Sequence, residues 1–262
     1  MRVLDHDRVW PAAVASLTAA AWLALVLWER SPYGRYLDHG GWLADSVAGT
    51  LCLAPSPGVR LPPAALYVGG WALMLVAMML PTALPLIGLF ARMVRDRPGR
   101  DVLTALLIAG YLSAWGAFAL LAHGLDSALH AYVASNARLA FNGRFVGGVI
   151  IGLAGAFQFS ALKYACLDSC RTPYSFIAQH WRGAAVRSQS FRLGLRHGLF
   201  CIGCCWTLMI LMFVVGTGSV GWMLALGAIM ATEKNARWGR NLSAPLGVAL
   251  LLASALILAG RL

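Results

Sequence analysis

Acidic residues are scarce in this chain: ten Asp and Glu in 262 residues, against 21 Lys and Arg, with 12% of residues charged. A soluble domain of this size carries roughly 25% charged residues, so an ordinary water-facing surface is excluded. Carboxylates within the apolar segments are nearly absent, which removes the oxygen donors expected of a zinc transporter inside its spans. No glycine-rich loop precedes a Lys-Ser or Lys-Thr pair, so there is no nucleotide site for a self-contained ATP-driven pump. Cysteine is limited to six residues, and Cys52 stands alone in its region with no obvious disulfide partner.

What is abundant is apolar sequence. Hydrophobic residues make up 60% of the chain, and the mean hydropathy is +0.70. Long apolar runs alternate with short basic loops, the pattern of a polytopic membrane protein. The net charge of +11 would point to nucleic acid if gathered on one soluble face. Here the arginines lie between apolar segments, where they set topology and meet anionic lipid headgroups. The expected partner is therefore the lipid bilayer, with no nucleic acid and no nucleotide.

The expected fold is all-α, a single polytopic transmembrane helix bundle of about seven spans in a bacterial inner membrane. The spans read as 11–28, 64–90, 102–122, 144–163, 197–215, 220–234 and 242–260, with an external loop at 29–63. The first run ends Leu27-Trp28-Glu29-Arg30, without the small residues of a cleavage site, and reads as a retained helix. Pro81 and Pro85 should bend or interrupt the inner half of the second span. Gly147, Gly148, Gly152 and Gly155 let another helix approach the fourth span closely. Residues 174–196, with Arg182, Arg187, Arg192 and Arg196 among aromatics, read as an amphipathic helix at the inner interface. The N-terminal tail, the loop 92–100 and the segments 163–196 and 234–240 hold 15 of the 21 basic residues. That distribution favours an inner N-terminus and an outer C-terminus.

The chemistry concentrates in His197-Gly198-Leu199-Phe200-Cys201-Ile202-Gly203-Cys204-Cys205-Trp206-Thr207-Leu208-Met209-Ile210-Leu211-Met212. On a helix, positions 197, 201, 205, 209 and 212 share one face. Imidazole, thiol and thioether are soft donors that suit Cu(I), with thiolates also suiting Zn. Cys166 and Cys170 repeat the four-residue spacing and should reach the same depth on the fourth span. Up to five sulfurs, Cys166, Cys170, Cys201, Cys204 and Cys205, then surround one point with His197. Met209 and Met212 continue the face inward, and Met74 and Met78 lie at similar depth on the second span, as a thioether route to the cysteines. Lys163 and Glu233 are candidates for the layer behind the ligands, Lys163 beside the first cysteine pair and Glu233 beside His197.

These residues resemble a known family. Met78-Met79-Leu80-Pro81 with Pro85, then Leu162-Lys163-Tyr164-Ala165-Cys166-Leu167-Asp168-Ser169-Cys170-Arg171-Thr172-Pro173, are similar to the bacterial family described as predicted metal-binding integral membrane proteins. The likeness continues through the His197 to Trp206 stretch, Trp222-Met223 and Glu233-Lys234, spanning roughly residues 64–240. It implies membrane location and metal binding, and names no activity.

Three functions remain open at this level. The first is a Cu(I)-handling protein that moves the ion through the bilayer or passes it to a partner such as a metallochaperone. The second, an enzyme, is a membrane thiol-disulfide oxidoreductase, for which Cys201 and Cys204 have the spacing of many redox pairs. A reducing cytoplasm and the methionines count against it. The third is a non-catalytic subunit of a larger membrane complex.

Overall fold

The computed structural model describes residues 2–31, 63–135, 143–215 and 219–261, and every regular element among them is helical. α1 is Arg2–Glu29 and α2 is Pro63–Met74. The second segment then changes character: a π-helical turn covers Leu75–Met79, a 3-10 turn covers Pro81–Ala83, and α3 resumes at Leu84–Met93. This is the interruption that Pro81 and Pro85 dictate, because neither can donate a helical hydrogen bond. Thr82 Oγ1 and Tyr111 OH both donate to the Met79 carbonyl, at 2.7 and 2.9 Å, so the irregular backbone is satisfied from side chains.

α4 is Arg100–Ser135, α5 Gly143–Phe157, α6 Ala161–Arg171, α7 Pro173–His180, α8 Val186–Val215, α9 Val220–Asn235 and α10 Ser243–Leu258, the last preceded by a 3-10 turn at Gly239–Leu242. The stretch expected as an external loop at 29–63, including Cys52, lies mostly outside the described residues, as does the turn at 216–218. Among the described residues, five helices are long and apolar enough to cross a membrane: Val9–Glu29, Val68–Met93, Arg100–Leu129, Val186–Met212 and Gly239–Leu258.

Three boundaries differ from the sequence expectation, and one further segment is short for a span. The third segment does not stop at 122, for α4 runs on through His123 to Ser135. The fourth, expected as one span over 144–163, breaks after Phe157 and turns by 63° into α6. Ser160 makes that break, its Oγ capping α6 by accepting from Lys163 N at 3.1 Å. Residues 174–196 are not one interfacial helix; α7 is short, and residues 186–196 form the first turns of α8. The sixth segment is helical as expected, but α9 has 16 residues, about 24 Å, short of the roughly 30 Å of a hydrocarbon core.

The beginning of α8 is helical because it packs, despite its arginines. Ser190, Leu193, Gly194 and His197 are buried on one side, while Arg187, Arg192 and Arg196 stay exposed on the other. α4 and α8 form the most intimate pair among the described elements. A Cβ at Gly194 would overlap the Leu107 carbonyl, and one at Gly110 the Phe191 carbonyl, so the two backbones touch where side chains are missing. The expected small-residue face on α5 is also real: Gly148, Gly152 and Gly155 lie against Leu258, Ser254 and Leu251 of α10.

Several contacts join the basic segments at one end of the bundle. Trp10 Nε1 donates to Asp101 at 3.2 Å, Phe90 meets Trp181 edge-on at 5.2 Å, and Arg97 lies 5.9 Å from the Trp181 ring. Arg240 reaches Asp168 at 3.4 Å across the exposed surface. At the other end, Val220 N donates to Glu29 Oε1 at 3.4 Å.

Candidate metal centre

Two helices bring the sulfurs together. α8 carries Cys201, Cys204 and Cys205, each about 1% exposed, within one turn and a third. α6 lies against it and presents Cys166 and Cys170. Gly203 permits this approach, since a Cβ there would stand 2.5 Å from Cys166 Sγ. Cys170 of α6 stands close enough to Cys201 and Cys204 of α8 to interact with both. Cys166 lies beside Cys204 at the edge of the group. None of these five cysteines is in a disulfide. Cys170 alone among them is only partly buried.

The sulfurs are arranged around each other and around a lysine. Cys204 and Cys205 donate to the Cys201 carbonyl at 3.1 and 2.9 Å, the back-bonding that a thiol on a helix makes to the preceding turn. Lys234 Nζ donates to Cys201 Sγ at 2.8 Å, with Cys205 Sγ at 3.6 Å and Thr82 Oγ1 at 3.4 Å. Tyr111 OH lies 3.1 Å from Cys201 Sγ. Among the described residues, no three His, Cys, Asp or Glu side chains stand as a preassembled ion site.

His197 sits one turn before Cys201, its ring between Tyr111 at 5.8 Å and Phe176 at 5.3 Å. It is buried, and its Nδ1 has no hydrogen-bond partner. A buried ring nitrogen left without a partner is costly unless something else satisfies it. Its place beside the sulfurs makes it a candidate donor. The donor chemistry of this group fits copper: several thiols and an unpartnered imidazole, with no carboxylate hydrogen-bonded to them among the described residues.

Met74, Met78, Met209 and Met212 are all within the core, together with Met79, Met223 and Met230. Met78 packs beside Gly227 of α9, which places the second segment against the helix that delivers Lys234.

Lys163 and Glu233 occupy a different place from the one their sequence positions suggested. Lys163 Nζ donates to Glu233 Oε1 at 2.7 Å and to Gln158 Oε1, and Ser243 Oγ donates to the same Glu233 oxygen at 2.7 Å. Arg171 caps the end of α9 by donating to the Glu233 and Arg237 carbonyls. Glu233 is therefore the partner of Lys163, and the side-chain hydrogen bonds of the pair go to each other, Gln158 and Ser243. The basic residue that contacts the cysteines is Lys234, which the sequence reading did not place in the site. A signal was present: Lys234 continues the stripe of Met223, Leu226, Gly227 and Met230, spaced by three and four on the buried face of α9.

Helices of membrane-spanning length around a buried thiol cluster define an all-helical class of architecture. A family model described as PpoB2, copper chaperone, matches residues 68–257, and the chain belongs to that family. The match takes in the π-helical turn, both cysteine groups, His197, Glu233 and Lys234. No curated protein and no solved structure matches the chain.

Proposed function

We propose that this protein is a multi-pass membrane protein of the bacterial inner membrane that holds Cu(I) at the cysteine cluster and passes it to a partner. The family supplies copper handling. What carries the finer reading is the meeting of Cys170 from α6 with Cys201 and Cys204 from α8, in a buried region that also contains His197. Cys170, Cys201, Cys204 and Cys205 are the proposed ligands, with His197 as an additional donor and Cys166 as a neighbour. Thiols with an imidazole suit Cu(I), and thiolates also suit zinc. Cys170 receives or yields the ion at the rim, because thiols exchange a soft ion by ligand replacement. The buried methionines around the π-helical turn form a weaker thioether path leading away. A metallochaperone or a subunit of a larger membrane complex is the proposed recipient.

The test is elemental analysis of anaerobically purified protein in detergent, with thiols counted before and after chelation. Near-stoichiometric copper and protected thiols are expected. The same sulfur contact, Cys170 with Cys201 or Cys204, also favours a second reading as a thiol-disulfide oxidoreductase. Absence of metal together with a trapped disulfide between those helices would select that reading instead.

A further inference from the structure

The buried charges divide into two groups. Lys163 and Glu233 neutralise each other, and their remaining hydrogen bonds go to Gln158 and Ser243. Lys234 has no carboxylate among its hydrogen-bond partners, which are Cys201, Cys205 and Thr82. The other groups facing its ammonium are Tyr111, bonded to Cys201, and His197 one turn away. Among the described residues, Lys234 is the cation hydrogen-bonded to the thiol cluster, 2.8 Å from Cys201 Sγ in a side chain that is 6% exposed.

A fixed cation beside a metal site acts unequally on ions of different charge. It repels a dication twice as strongly as a monocation at the same position. At a few ångströms and an effective dielectric near 20, each added unit of ion charge costs well over a factor of ten in binding. Resting on the Cu(I) site proposed above, we propose that Lys234 is the selectivity determinant of the cluster, setting its preference for monovalent Cu(I) over divalent Zn(II). Sulfur donors alone do not make that choice, since thiolates bind zinc well. The ammonium adds a charge criterion to a softness criterion. It touches the ligands and not the ion, so it is a positioning and selectivity residue rather than a ligand.

Three variants in detergent-solubilised full-length protein test this. Cu(I) affinity is read by competition with a chromophoric Cu(I) chelator under anaerobic conditions, and Zn(II) affinity with a zinc indicator. Lys234→Gln is expected to shift the Cu(I)-to-Zn(II) preference toward zinc by at least tenfold, and Lys234→Arg to keep the wild-type preference. Lys234→Leu gives the same reading as the glutamine variant if that protein does not fold. A merely structural lysine would lower both affinities together and leave their ratio unchanged. An unchanged ratio in Lys234→Gln and Lys234→Leu would overturn the inference, as would an equal shift in Lys234→Arg. If instead the wild type binds no Cu(I), or binds it equally after Cys201→Ser with Cys204→Ser, the site reading itself fails and this inference with it.

Discussion

Glu233 and Lys234 are adjacent in sequence and serve opposite kinds of buried polar group. Glu233 belongs to a closed network, in which carboxylate, ammonium, amide and hydroxyl satisfy one another across α6, α9 and α10. Lys234 belongs to an open one, in which an ammonium faces thiols that have only weak donors and acceptors to offer. Neighbouring helix residues point about 100° apart, so one short helix serves both. The difference teaches where rigidity and exchange reside. Hard partners of matched charge fix three helices together; soft partners beside an unmatched charge leave their lone pairs open to a better cation.

The sharpest break in this comparison is at Glu233. Glu233→Ala leaves the Lys163 ammonium buried without its carboxylate, and should cost about 3–5 kcal/mol. A large fall in melting temperature by circular dichroism checks it. Replacing both partners by Lys163→Met with Glu233→Leu should recover most of that loss, because a well-packed apolar pair is a fair substitute for a buried ion pair. The reverse experiment is at the sulfurs: Cys201→Ser with Cys204→Ser should remove most bound copper while the helical spectrum is kept. Unchanged copper stoichiometry by elemental analysis would show that the cluster is not the site.

Smaller effects sharpen the boundary between the two regions. Gly203→Ala introduces a Cβ that must displace the Cys166 sulfur, which should cost about 1–3 kcal/mol as overpacking does. A several-fold faster loss of copper to a chelator should accompany it, since α6 is pushed from α8. Met78→Leu keeps the volume and should cost under about 1.5 kcal/mol. It should slow copper delivery in vesicles while leaving the tightly held copper in place. Equal loss of both would make Met78 a ligand or a fold support rather than part of a path.

The sequence made much of this arrangement legible where local chemistry decides it. The proline interruption follows from two missing N–H groups, and the α5 glycine face from the absence of side chains. The two cysteine pairs could be brought together because a four-residue spacing has a definite direction on a helix. Legibility failed where tertiary packing overrides composition. The arginines at 187, 192 and 196 look like the end of an apolar segment, yet Ser190 and Gly194 on the other side hold those turns against α4. His123 and Asp126 likewise mask the continuation of α4 to Ser135. The partner of Lys163 could not be read from spacing, because Glu233 is 70 residues away. Lys234 was visible as the next member of a buried stripe, but what it faces depends on α8.

The clamp at Glu233 has a torsional consequence. α9 is gripped on one side by Lys163 and Ser243 and at its end by Arg171 through two carbonyls. Any twist of that helix end would swing Lys234 through an arc and change how much positive potential the sulfurs experience. The grip works as a brake on that rotation. A salt bridge that does not itself include a cysteine thereby steadies Lys234 beside Cys201.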